Sequence, residues 1–223
     1  MIELKNLCKS YKTRKGMRPV LEDINARFPQ GRNIGILGRN GAGKSTLLRL
    51  IGGAELPTSG EIVKKGTISW PIGFTGGFQG SLSGRENLRF VCRIYAADID
   101  YVTRFVEDFA ELGDYMEMPI ASYSSGMRSK LAFGLSMAID FNYYLIDELT
   151  AVGDAWFRQK CTEEFEKRKD RATLLVVSHN IQTIKSHCET AAVLHDGTLT
   201  MFEALDEATE FYRNSAPGLK KAI

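Results

Sequence analysis

The segment GRNGAGKST at 38–46 has the residue types and the spacing of a loop that holds phosphate. It follows a short apolar stretch that reads as a buried strand, and it matches the pattern G-x-x-x-x-G-K-[ST]. Gly38, Gly41 and Gly43 allow the backbone to curl so that successive N–H groups point at one anion. Because a helix begins near Lys44, its positive end adds to the attraction for phosphate.

The side chains of this loop suggest the chemistry of individual positions. Lys44 supplies a point charge for the β and γ phosphates, and the hydroxyl of Ser45 can ligate Mg²⁺. A glycine-rich turn without a ligand is the alternative interpretation, and the complete motif makes it the weaker one. The residues that we expect to contact the nucleotide here are Gly38, Arg39, Asn40, Gly41, Ala42, Gly43, Lys44, Ser45 and Thr46.

A second phosphate-site pattern is the apolar run YYLI at 143–146, which ends in two carboxylates, Asp147 and Glu148. A buried strand of a parallel sheet ends at the edge where ligands bind. Asp147 would complete the Mg²⁺ shell through water, and Glu148 would act as general base or orient the water that attacks the γ-phosphate. The alternative is a strand that simply ends in solvated acids.

Strands and helices alternate along most of the chain, which predicts an α/β fold with a mainly parallel sheet and an antiparallel β edge. We expect one domain over 1–223, with a core at 1–71 and 141–213, an inserted helical subdomain at 72–140 and a loose tail at 214–223. Period-2 alternation predicts an edge strand at 2–7. The other expected elements are strands at 20–28, 33–37, 143–146 and 173–178, hairpins at 61–70 and 191–202, and helices at 45–52, 85–96, 100–112, 124–139, 155–169, 180–187 and 204–213.

Composition narrows the classes of function. The chain has 223 residues and a formal net charge of +2, which gives no reason to expect nucleic acid as a partner. No run of about 18 apolar residues predicts a membrane span. The four cysteines are far apart in the sequence, so a disulfide framework or a cysteine metal site is not expected.

A third pattern is YSSGMR at 123–128, where two hydroxyls and a glycine open a helix and create another anion-binding N-terminus. One nucleotide does not need two phosphate cradles in one chain. Together, the three patterns resemble the nucleotide-binding subunit of an ATP-binding cassette (ABC) transporter over nearly the whole chain. The usual signature of that family, LSGGQ, appears here as YSSGM, with Ser125 in place of a glycine. The signature residues are Ser124, Ser125, Gly126 and Met127.

The resemblance implies an ATPase that works as a homodimer, in which the phosphate loop of one subunit faces the signature helix of the other. The resemblance places Asp154 in the D-loop, which acts across the dimer. It makes His179 the switch histidine, which contacts the γ-phosphate. The catalytic residues that it implies are Lys44, Glu148 and His179. Tyr11 stands where an aromatic ring stacks on adenine in that family, and the alternative is an aromatic residue at a strand end that packs on the core.

The segment between the second hairpin and the helical region contains five glycines at 71–84. The family has a metal-sensing glutamine in this segment, and Gln79 is the candidate for it. Gln79 lies closer to Glu86 and Asn87 than the family's glutamine usually does. The alternative is that this glycine-rich loop receives a membrane partner.

The segments at 68–87 and 123–154 resemble the ATPases that export bacterial surface polysaccharides, above all those of capsule export. This implies a MgATP-driven subunit, bound peripherally at the cytoplasmic face of the inner membrane to a separate polytopic permease that handles the polysaccharide. O-antigen and teichoic acid exporters are the alternatives. Some of those carry an added C-terminal domain, and the short sequence after the last predicted helix favours the capsule branch.

Two rivals belong to other classes. A soluble ABC ATPase acting on DNA or ribosomes usually carries two cassettes or a long coiled-coil insert, and this chain has one cassette. A P-loop phosphotransferase would leave Ser124–Met127 and His179 without a role.

Overall fold

The computed structural model describes residues 1–72, 76–147, 155–169 and 171–215, and these contain two sheets flanked by helices. The strands are β1 Ile2–Thr13, β2 Gly16–Phe28, β3 Ile34–Leu37, β4 Ser59–Lys64, β5 Ile68–Pro71, β6 Tyr143–Asp147, β7 Thr173–Ser178, β8 Thr190–His195 and β9 Thr198–Phe202. The helices are α1 Lys44–Gly52, α2 Gly84–Tyr95, α3 Ile99–Ala110, α4 Ser125–Ala138, α5 Ala155–Lys169, α6 Ile181–His187 and α7 Leu205–Ser215, with short 3₁₀ turns at Gly113–Glu117 and Ile120–Ser122.

The larger sheet has six strands in the order β5-β6-β7-β3-β8-β9. All neighbouring pairs are parallel except β8 and β9, which form the predicted antiparallel hairpin. Every residue of β3 and β7 is buried, as expected for strands covered on both faces. The carboxyl ends of β6, β7 and β3 therefore meet at one edge of the sheet.

The smaller sheet is antiparallel in the order β2-β1-β4, and it corrects two predictions. The segment at 2–7 lies in β1, which is the central strand and not an edge strand. The predicted hairpin at 61–70 is wrong, because β4 pairs with β1 while β5 pairs with β6. Gly66, at φ +102°, and the bond from the Thr67 N–H to Asn142 Oδ1 at 2.8 Å direct the chain into the other sheet.

The main core lies where the small sheet, helix α1 and the large sheet pack together. Fully buried side chains from β1, from α1 and from β7 belong to this one cluster, including Leu4, Leu47, Ile51 and Val177. Each such side chain stabilises the fold by about 1.5–3 kcal/mol when it leaves water. This packing fixes α1, and with it the loop that precedes α1, against the sheet edge.

The described chain separates into two compact units. The first contains both sheets with α1, α6 and α7, and the second contains α2, α3, α4 and α5. The sequence pattern places 155–169 in the core, whereas the structure groups α5 with the other helices of the second unit. The reason is aromatic packing, because Phe157 of α5 meets Phe109 edge-on at 5.3 Å between ring centroids. The predicted tail lies mostly outside the described residues.

Candidate functional site

The phosphate loop connects β3 to α1 and has the backbone that its glycines predict. Gly41 has φ +84° and Gly43 has φ +104°, a region that L side chains rarely adopt. Gly43 is also the N-cap of α1, and no side chain accepts a hydrogen bond from that helix end. The first N–H groups of α1 therefore have no side-chain cap to compete with an anion.

Lys44 is held inside this loop. The residue is only 7% exposed, and its Nζ donates to the carbonyl oxygens of Gly38 at 2.8 Å and Arg39 at 3.1 Å. Gly38 is buried, and a Cβ at this position would lie 2.8 Å from the carbonyl oxygen of Leu194 in β8. The first glycine of the motif is thus required for space, and it lets the loop rest on a neighbouring strand.

Asp147, His179 and the phosphate loop lie at the carboxyl ends of three adjacent strands, β6, β7 and β3, at the same edge of the sheet. Asp147 ends β6 and is paired with Val177 of β7, and Leu37 at the end of β3 is paired with Ser178. His179 follows β7 directly and is exposed. The topology therefore brings Asp147, His179 and the phosphate loop together.

The donors at this edge suit a hard divalent cation. The hydroxyl of Ser45 and the carboxylate of Asp147 are both half-buried oxygen donors. Mg²⁺ prefers such ligands and keeps several of its waters, so two protein oxygens beside a triphosphate fit its usual coordination. The assignment of Mg²⁺ comes from the chemistry of these donors.

The segment around His179 is anchored to α7 and leads into α6. The hydroxyl of Tyr212 donates to the carbonyl oxygen of His179 at 3.4 Å. Asn180 caps α6, because its Oδ1 accepts from the Gln182 N–H at 2.8 Å. These contacts fix the backbone that presents the imidazole.

Tyr11 lies in a polar cluster that the sequence did not reveal. Its hydroxyl donates to Glu55 Oε2 at 2.6 Å, and Arg49 Nε donates to the other oxygen, Glu55 Oε1, at 2.7 Å. Lys9 stands over the Tyr11 ring, with Nζ 5.1 Å from the ring centroid. Burial alone would raise the pKa of Glu55, but the hydrogen bonds from Tyr11 and Arg49 hold it below its ordinary value. Tyr11 is therefore held by hydrogen bonds at its hydroxyl and by a cation over its ring.

The signature residues begin helix α4 in the second unit. Ser124 is its N-cap, and the Ser124 Oγ accepts from the Met127 N–H at 3.2 Å. Ser124 and Ser125 are exposed, and Gly126 and Met127 are half-exposed. The predicted helix N-terminus is thus present and open to solvent within this unit.

Gln79 also lies in the second unit, where a buried asparagine holds its backbone. Asn87 is 2% exposed; its Oδ1 accepts from the Gln79 N–H at 2.8 Å, and its Nδ2 donates to the Gln79 carbonyl oxygen at 3.1 Å. The Gln79 side chain donates to Ser81 Oγ at 3.3 Å. Its sensing role stays a prediction.

Glu148 and Asp154 lie outside the described residues. Their predicted roles therefore depend on the sequence alone.

A cavity of about 450 Å³ adjoins the outer side of the phosphate loop. It shares residues 39–42 with the loop and is lined further by Arg18 of β2, by the β8–β9 turn and by Tyr212. Burial raises the pKa of Tyr212, against the opposing charge of Arg39. The phosphate-loop motif supplies only one of the four separate segments that line this cavity, so the sequence did not indicate it.

The fold and the loop agree with comparisons to known proteins. The family described as ABC transporter matches residues 21–151. The chain belongs to the ABC transporter family. The match confirms the predicted family, the predicted fold class and the prediction of an ABC-type ATPase.

Two curated relatives are similar over almost their whole length. The capsule polysaccharide export ATP-binding protein CtrD of Neisseria meningitidis serogroup B is 56% identical, over 97% of this chain and 100% of the relative. The ATP-binding protein BexA of Haemophilus influenzae is 54% identical, over 96% of this chain and 99% of the relative.

A solved structure shows the same fold. The dimeric structure of a post-hydrolysis state of the ATP-binding cassette MJ0796, bound to ADP and Pi, has a TM-score of 0.70 at 24% identity and covers 92% of this chain and 99% of that one. Within the described residues, no helix is long and apolar enough to cross a membrane.

Proposed function

We propose that this chain is the ATP-hydrolysing subunit of an exporter that drives a capsular polysaccharide across the inner membrane together with a separate permease. The observation that carries the ATPase assignment is the buried Lys44, held by the carbonyl oxygens of its own loop beside an N-terminus that no side chain caps. The polysaccharide assignment is supported by the 56% identity to a capsule export protein over nearly the full length.

The site residues divide the chemistry among them. The loop N–H groups and Lys44 hold the β and γ phosphates, while Ser45 and Asp147 hold Mg²⁺. These two oxygens would place the positive charge of Mg²⁺ beside the phosphates, where it would offset their negative charge. His179 contacts the γ-phosphate, and Glu148 orients or deprotonates the attacking water.

Two copies of the chain complete each site. Residues 124–127 of one subunit face the phosphate loop of the other, and Asp154 acts across the same interface. ATP favours the closed dimer because it binds that state more tightly than the open one, as any ligand-driven shift requires. The exposed N-terminus of α4 supports this arrangement.

The chain binds the cytoplasmic face of the inner membrane through its permease. The glycine-rich segment at 71–84, including Gln79, is the proposed region for sensing the metal or receiving that partner. We expect the chain to fractionate with membranes only when the permease is co-expressed. Equal recovery in membranes without the permease would contradict this attachment.

The substitution Glu148→Gln tests the catalytic assignment. We expect ATP binding to persist while turnover falls by about 100-fold or more, because the amide cannot accept the proton of the attacking water. The variant should also form a dimer with ATP that gel filtration detects. The matched control is Glu203→Gln, whose carboxylate is largely exposed and pairs with Arg32. Undiminished turnover of the Glu148 variant would exclude this role.

Transport in reconstituted vesicles tests the substrate. With the permease present, ATP should drive capsular polysaccharide and not teichoic acid or O-antigen. If ATP drives only teichoic acid or only O-antigen, that polymer and not capsular polysaccharide is the substrate.

A further inference from the structure

The hydroxyl of Tyr11 is anchored by a carboxylate that also binds an arginine. Glu55 accepts the Tyr11 hydroxyl on one oxygen at 2.6 Å and Arg49 Nε on the other at 2.7 Å. A hydrogen bond to a charged acceptor is about twice as strong as a neutral one. Both oxygens of Glu55 are therefore committed to named partners, and the tyrosine is one of them.

This carboxylate connects the tyrosine to the phosphate loop. Arg49 lies in α1, the helix that begins at Lys44, and its Nη2 donates to Thr46 Oγ1 at 3.2 Å. Thr46 is the last residue of the phosphate-loop motif. A continuous series of bonds thus runs from Tyr11 through Glu55 and Arg49 to Thr46.

The backbone that carries Glu55 is itself fixed. The chain turns after α1 at Gly53, with φ +82°. The N–H groups of Ala54 and Glu55 then donate to the carbonyl oxygen of Arg49 at 2.9 and 3.3 Å. The turn therefore holds the carboxylate at a set distance from α1.

Lys9 covers one side of the tyrosine ring. Its Nζ lies 5.1 Å from the ring centroid, 3.5 Å from Glu55 Oε2 and 2.7 Å from the carbonyl oxygen of Leu56. Because the cation occupies one face of the ring, a base would have to stack on the other. The cluster thus fixes both the position of the ring and the face that it can offer.

We propose that Glu55 is a positioning residue for the nucleotide base, which holds the Tyr11 ring at a set distance from the phosphate loop without contacting ATP. The inference rests on the proposed role of Tyr11 as the adenine contact. The side chain of Glu55 bonds Tyr11, Arg49 and Lys9 and reaches the phosphate loop only through Arg49, so we expect its loss to weaken ligands that carry a base far more than phosphate alone. Preorganisation of this kind raises affinity by lowering the cost of ordering the ring.

The test compares ATP with inorganic tripolyphosphate, each with Mg²⁺, on the full chain. In Glu55→Gln the single amide oxygen stays with the charged Arg49, and Tyr11 loses its bond to a charged acceptor. We therefore expect the Kd for ATP to rise about tenfold while the Kd for tripolyphosphate is unchanged. KM for ATP should rise with kcat unchanged. The matched control is Glu61→Gln, a carboxylate exposed on β4.

Tyr11→Phe removes the bond to Glu55 from the other side, together with the longer bond that Arg49 Nη2 donates to the Tyr11 hydroxyl at 3.5 Å, and leaves the bond between Glu55 and Arg49. It should weaken ATP binding to the same degree as Glu55→Gln, and the double variant should be no weaker than either. Should Glu55→Gln not fold, Tyr11→Phe still tests the anchor. Additive losses, or equal weakening of ATP and tripolyphosphate, would overturn the inference.

Tyr11→Ala separates this inference from the proposed function. If Tyr11→Ala weakens ATP binding while Glu55→Gln and Tyr11→Phe do not, the positioning role of Glu55 is wrong and the base contact stands. If Tyr11→Ala does not weaken ATP binding, both the base contact and the positioning role are wrong.

Discussion

Helices α1 and α2 begin in opposite ways. At α2, the Ser83 Oγ accepts from the Glu86 N–H at 3.2 Å, and Glu86 Oε2 accepts from the Ser83 N–H at 2.8 Å. At α1, the N-cap is Gly43, no side chain caps the helix, and no acidic residue lies in the first turn. One helix satisfies its N-terminus with its own carboxylate, and the other leaves that pole for an external anion.

The comparison shows which sequence feature separates a helix N-terminus that is only structural from one that binds a ligand, namely a capping side chain and a carboxylate in the first turn. The dipole attracts negative charge at both N-termini. A carboxylate in the first turn, as in α2, would repel phosphate as well as compete for the same N–H groups.

The largest expected effect is that of Lys44→Ala, which removes the one buried cation of the loop motif. ATP affinity should fall by about 100-fold or more, because the phosphates lose a charged donor that the loop holds only 7% exposed. Isothermal titration with MgATP measures it. Lys65→Ala, an exposed lysine in the turn before β5, is the control and should bind normally. Normal ATP binding by the Lys44 variant would show that the N-terminus of α1 is not the phosphate site, and the contrast with α2 would then have no functional meaning.

Next in size is the difference between Gly43→Ala and Gly41→Ala. Both residues have positive φ, which costs an alanine about 1–2 kcal/mol. At Gly43 the new Cβ would also lie 2.9 Å from Val20 Cγ1, whereas at Gly41 nothing lies within 4 Å. We expect Gly43→Ala to lower the free energy of unfolding by about 2–4 kcal/mol in total, more than Gly41→Ala. Urea denaturation measures both, and equal losses would show that backbone strain alone matters.

Ser83→Ala should cost less and should not affect the nucleotide. Loss of this N-cap should lower the free energy of unfolding by about 1 kcal/mol. ATP affinity should be unchanged, because the capping box has no role in the phosphate site. Ser186→Ala, which removes a hydroxyl that donates to the carbonyl of its own helix, is the control and should cost less. A fall in ATP affinity in Ser83→Ala would contradict the purely structural role of this helix end.

The smallest effect concerns pH. The Ser83 N–H and hydroxyl hold the pKa of Glu86 below its ordinary value. A lowered pKa in the folded state stabilises the protein above the unfolded value of Glu, and this stability is lost as the pH falls through the folded value. Comparing thermal melts of wild type and Glu86→Gln from neutral pH into acid should show a difference that shrinks on acidification. A difference independent of pH would show that charge is not involved.

Much of the fold follows from periodicity and from the glycine punctuation. The buried strands β3, β6 and β7 are short apolar runs, and the loop after β3 is marked by its motif, so their meeting at one sheet edge is predictable from parallel pairing. The site positions Lys44, Asp147 and His179 could be placed for this reason.

Other features depend on contacts that the sequence does not display. Alternation in β1 identifies a buried face and not the number of neighbouring strands, so the central position of β1 was missed. Glu55 lies in a polar turn 44 residues from Tyr11, and no spacing relates the two. The grouping of α5 with the second unit depends on the contact between Phe157 and Phe109.

The close approach of Gly38 to Leu194 bears on how portable the motif is. The nine-residue loop does not carry all of its own geometry, since its first glycine rests against the backbone of β8, more than 150 residues later in the chain. Placing the same nine residues between another strand and helix would supply the glycine turns and the lysine, but not the contact with the β8 backbone. A graft therefore needs a neighbouring strand whose carbonyl lies where that of Leu194 does.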